Sequence, residues 1–110
     1  MAKADRLARL DDRRIELETD YREALIAVLR VTAAGKWGLF GHTSDRGTRA
    51  AAAPILAELA EIGETIDKAR AQLGMPPFAL QQEFLASRGR VSPQAPGEPK
   101  QAQAWLDRLA

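Results

Sequence analysis

The residues that could carry chemistry are few and scattered. His42 is the only histidine, so a catalytic or metal site at the near-neutral range would have to be assembled from it and neighbours such as Thr43, Ser44 and Asp45. A lone loop histidine without a charged partner is ordinarily polar surface, and no catalytic centre is expected. Asp12, Glu16 and Asp20 recur at i,i+4 and Glu58 and Glu61 at i,i+3, which would place carboxylates on shared helical faces. Bundles that hold two metals between carboxylates use Glu-x-x-His on facing helices, and no glutamate here has histidine three residues on. No metal and no cofactor is expected. The chain has no cysteine, which removes disulfides, thiolate ligands and a thiol nucleophile, and suits a reducing, cytoplasmic setting.

Glycine-containing stretches give no phosphate site. GxxxxGK[ST] and GxGxxG are both absent, and Gly35-Lys36-Trp37-Gly38 matches the GxxG of KH modules only superficially, because the sheet that backs such a loop has no counterpart. Arg6, Arg9, Arg13 and Arg14 could face phosphates from one helix, yet Asp5, Asp11 and Asp12 are interleaved with them. Sixteen basic residues against fifteen acidic ones leave no whole-molecule field to attract nucleic acid or an anionic membrane. Nucleic-acid binding is therefore not the leading reading.

The elements that would position these groups are helices. From about residue 3 to 34 no Pro or Gly intervenes, and Leu7, Leu10, Leu17, Tyr21, Ala24, Val28 and Val31 follow a three-four rhythm that makes one helical stripe, interrupted by Arg14. The first half is narrow and charged, with Asp5–Arg9 and Glu18–Arg22 at pairing distance; in the second, Leu25, Ile26 and Leu29 widen the apolar face. Gly35 is read as a left-handed stop. A second pattern, through Ile55, Leu59, Ile62, Ile66, Ala69 and Leu73, predicts a helix over 49–73 with Thr48 as N-cap and a kink at Pro54. Shorter patterns predict helices over 77–88 and 99–109, joined by a Pro-rich linker over 89–98. No stretch alternates like a strand, and none approaches the ~18 apolar residues of a membrane span. The expected fold is one all-α domain, 1–110: a long antiparallel helical hairpin with one or two shorter C-terminal helices.

Two segments depart from generic bundle grammar. Lys36, Trp37, Leu39 and Phe40, with His42, form an apolar, glycine-spaced connection between the long helices. Its aromatic residues either plug the end of the bundle, the favoured reading, or act as recognition anchors. The tail helix puts Trp105, Leu106 and Leu109 with Ala102 on one face, to pack on its own bundle or dock on another chain. The Leu7-Leu10-Leu17 stripe on a helix too long for a spherical domain points to a homodimer. Taken together, the residues suggest a small helical interaction or scaffold protein with an unidentified protein partner. The alternatives are a weak nucleic-acid-binding module and a small-molecule-binding or catalytic bundle built on the 35–48 connection. Abundant Ala and an excess of Arg over Lys suggest a bacterial, G+C-rich coding origin.

Overall fold

A computed structural model describes residues 2–35, 42–88 and 99–109. Among these residues all regular structure is helical: α1 Ala2–Ala34, α2 His42–Gln72, α3 Ala79–Arg88 and α4 Pro99–Leu109. The all-α helical bundle expected from the apolar rhythm is therefore the fold.

Helices α1 and α2 lie antiparallel. A Cβ on Gly35 would fall 3.0 Å from Thr48 Oγ1 at one end of the pair, while Arg70 Nη1 donates to Glu18 Oε1 over 2.9 Å towards the other. The core follows the sequence stripe: Leu17, Tyr21, Leu25, Val28 and Leu29 of α1 are buried against Ala52, Leu56, Leu59 and Ile66 of α2. Thr32, buried among them, satisfies its hydroxyl by donating to the Val28 carbonyl at 2.8 Å. Helix α4 seals another face of α1 with Ala102 and Leu106. Helix α3 buries only Phe84 of its own length, set edge-on to Trp105 at 5.9 Å, while Phe78 just before it meets Tyr21 edge-on at 5.4 Å.

Several boundaries differ from the sequence reading. Helix α2 begins at His42, so Thr48 is an interior residue facing the end of α1 rather than an N-cap. Pro54 lies inside the helix, as the 49–73 reading placed it. Its missing N–H leaves the carbonyl four residues earlier without a helical donor, and both Ala50 and Pro54 are exposed, so water can take that bond. Gly35 does not adopt a positive φ; among the described residues the left-handed glycine is Gly74, at φ 70°. There Met75 N–H donates to the Arg70 carbonyl at 2.8 Å and Gly74 N–H to the Ala71 carbonyl at 3.1 Å, the paired bonds of a Schellman cap. Helix α3 starts two residues later than expected: Phe78 caps it, its carbonyl accepting from Gln82 N–H at 3.1 Å while its own N–H donates to Asp67 Oδ1 of α2 at 3.2 Å.

At ~1.5 Å per residue, α1 is about 50 Å long in a molecule of 62 × 24 × 23 Å. It outruns α2. The facing pairs Gly35/Thr48 and Glu18/Arg70 put the end of α2 opposite the stretch of α1 around Arg14, and residues 3–9 are exposed without a break.

Candidate functional site

Where α2 ends, a polar clasp closes the hairpin. Arg14, the residue that interrupts the apolar stripe, donates to Asp11 at 2.8 Å and to Glu18. Asp11 first and then Glu18 hold its guanidinium above the ordinary arginine range. Glu18 also accepts from Arg70. Arg70 reaches onward with Nε to the Pro76 carbonyl at 2.6 Å and lies 5.6 Å over the Phe78 ring, tying the α2 cap to α1. With Arg14, Glu18 and Arg70 at 14%, 18% and 12% side-chain exposure, this is a partly desolvated network, unlike the surface pair of Arg13 and Glu16. Glu18 thus does not pair with Arg22, as helical spacing suggests; Arg22 instead donates to the Leu109 carbonyl at the end of α4, over 2.8 Å.

Beyond the clasp, α1 projects as an arm. Leu7 is 41% exposed, whereas Leu17, further along the same stripe, is buried under the chain's own helices. The Leu7-Leu10-Leu17 stripe is therefore divided: its third leucine belongs to the core and only the first two remain on the arm. At ~100° per residue, the charges of the arm separate by face although they interleave in sequence. Lys3, Arg6, Arg9 and Arg13 fall within about 120° of arc beside Leu10, and Asp5, Asp12 and Glu16 gather within about 40° on another side. All four basic residues are exposed, and among the described residues Lys3, Arg6 and Arg9 form no ion pair.

A second feature is a cleft of about 540 Å³ between α2 and α3. Leu56, Leu59, Ala60, Phe84 and Leu85 wall it and Tyr21 forms part of its floor. Its internal polar groups are largely committed. Gln81 Nε2 donates to Asp67 Oδ2 at 2.9 Å. Gln81 Oε1, buried with no conventional donor, sits where a Cβ on Gly63 would lie 1.7 Å away, and so rests on the Gly63 Cα–H group as a weak C–H···O contact. Burial, then the nearby Asp67 charge, raises the Tyr21 phenol well above its usual range. Desolvation lowers the Arg88 guanidinium. At the rim of the cleft Lys68 Nζ and Glu64 Oε1 form an exposed ion pair at 3.4 Å.

Of the residues singled out from sequence, Trp105 is half-buried with Arg108 stacked over its ring at 4.3 Å, Leu106 is buried and Leu109 half-buried, all on the inward side of α4. The tail helix thus covers its own bundle. Lys36, Trp37, Leu39 and Phe40 lie outside the described residues, and so do both readings of that connection; His42 opens α2. Among the described residues no three carboxylate or histidine side chains converge as a metal site, so Asp12, Glu16 and Asp20 remain one helical face. No helix among them is long and apolar enough to cross a membrane. The basic face of the arm is invisible to charge summed along the chain and emerges only when the residues are placed by helical angle. No protein-family profile matches this chain, and neither does any curated protein or solved structure.

Proposed function

We propose that this chain is a small helical interaction protein whose working surface is the arm of α1. One observation carries the reading: the stripe that α2 covers from Leu17 onward continues past the end of α2 as exposed Leu7 and half-buried Leu10. A helix laid on the arm would extend the seat that α2 occupies and shield both leucines.

A second copy is the simplest occupant of such a stripe, and a homodimer was the expectation from sequence. Two arms running parallel would carry the copy's α1 into the space held by α2. Antiparallel arms avoid that, but setting Leu7 of each chain on Leu10 of the other brings Arg6 of each against Arg13 of the other, twice by symmetry. A different chain suits the surface better than a copy does.

The test is Leu7→Asp, which places a charge on the stripe at a residue outside the core. Chains captured from the native extract by the wild type should be lost with Leu7→Asp while the melting temperature stays put. Identical captured sets would contradict the docking role of the arm.

A further inference from the structure

The chemistry of the partner can be taken one step further, resting on the reading of the arm as a docking surface. We infer that the occupant of the arm is an amphipathic helix with an aliphatic seam and acidic flanks. Three observations converge on it.

The first is continuity. The arm extends an interface already made by a helix, α2, so the surface left by its ending has the shape of a helix seat. The second is charge. On the flank of the seam next to Leu10 stand Arg6 and Arg13, with Arg9 behind them and Lys3 in line with the two leucines, all exposed. On the other flank the only acid beside Leu7 is Asp11, which Arg14 already engages at 2.8 Å. An acidic helix therefore meets Arg6, which forms no ion pair among the described residues, and Arg13, whose exposed pairing with Glu16 leaves it reachable, on one side, and a carboxylate held by Arg14 on the other. The third is the exclusion of the copy, whose own Arg6 and Arg13 make it the wrong sign. Duplex nucleic acid would use the cations but leave Leu7 and Leu10 in water, and it would meet Asp5, Asp12 and Glu16 as soon as it wrapped round the arm. The apolar seam inside the basic face favours a protein helix.

The experiment uses the full chain and two synthetic helical peptides of equal length with leucine at every a and d position, one carrying Glu and the other Lys at e and g. Like-charge repulsion keeps each peptide from pairing with itself. Binding is followed by fluorescence anisotropy of the labelled peptide. The Glu peptide should bind roughly tenfold or more tightly than the Lys peptide, and raising salt from about 0.1 to 0.5 M should narrow that gap. R6E combined with R13E should reverse the preference, a rescue that a merely destabilised protein could not show. Equal binding of the two peptides, or an unchanged preference in the double variant, would overturn the acidic-partner inference while leaving the docking surface standing, provided that L7D abolishes binding of both. Binding of the Glu peptide that survives L7D would refute both the inference and the role of the arm. A labelled DNA duplex that binds more tightly than the Glu peptide and is lost in the R6E/R13E variant would also overturn it, in favour of a nucleic-acid partner.

Discussion

Replacing Phe84 with Ala is the most informative perturbation of the fold, because α3 reaches the rest of the molecule through so few side chains. Phe84 is 6% exposed and is the one buried residue of α3. It meets Trp105 of α4 edge-on at 5.9 Å and carries the Arg88 guanidinium 5.4 Å above its ring. Removing a buried phenylalanine side chain costs ~3–5 kcal/mol when the cavity does not collapse, a large part of the ~5–15 kcal/mol available to a domain. At about 4 °C per kcal/mol for a chain of this size, the melting temperature should fall by about 12–20 °C. Because the same ring joins α3 to α4, the loss should register at Trp105 as well. In a Trp37→Phe background, where Trp105 is the only tryptophan, its emission should shift to the red in the folded Phe84→Ala variant. Thermal unfolding followed by circular dichroism, with emission read well below the transition, checks both parts. A loss under about 1 kcal/mol with unaltered emission would show that Phe84 does not join the two helices, and the described packing of α3 would be wrong.

Other consequences follow from single contacts. Gly74→Ala should destabilise the chain by about 1–2 kcal/mol, measurable by denaturant titration, because an L side chain must adopt φ near 70° to keep the Schellman cap. Gly63→Ala should cost about 1 kcal/mol less in a Gln81→Ala background than in the wild type, since the new methyl group would displace the Gln81 carboxamide from its Asp67 bond; additive effects would refute that contact. Tyr21 is the single tyrosine, so its phenolate absorbance can be titrated directly. Its raised pKa means that the unfolded chain loses the proton first, so stability is intact below the ordinary tyrosine value of about 10 and declines as pH rises above it. Tyr21→Phe should flatten that alkaline decline, and a titration midpoint near 10 in the folded protein would contradict the burial of the phenol.

The fold class and the inward faces of α1 and α2 were legible because the stripe from Leu17 to Val31 and its counterpart from Ile55 to Ile66 keep a helical period that burial then respects. The start of α2 was not, since Gly47 and the polar residues before it resemble a loop, and continuation through Pro54 depends on the exposure of the carbonyl it strands. Glu18 could not be assigned from spacing either. Local geometry favours Arg22, but the guanidinium delivered from α2 by Arg70 competes for the same carboxylate, and only tertiary packing decides. For the candidate site the difficulty was different. Leu7 and Leu10 were visible, but whether they were open depended on where α2 stopped relative to α1, which is a property of the hairpin register. The cleft depends likewise on Gly63 and Gln81, distant in sequence, whose pairing needs the turn at Gly74 to bring α3 back along α2.

The central claim is that the leucine seam of the arm is held open, covered neither by this chain nor by a second copy. Equilibrium unfolding of the wild type and Leu7→Asp, each at two protein concentrations about a hundredfold apart, tests it most directly. The free energies of the two proteins should agree within about 0.5 kcal/mol, the range of a surface substitution, and neither midpoint should move with concentration. A loss above about 2 kcal/mol in Leu7→Asp at both concentrations would mean that the chain itself buries the seam, and a midpoint that rises with concentration in the wild type alone would mean that a copy does.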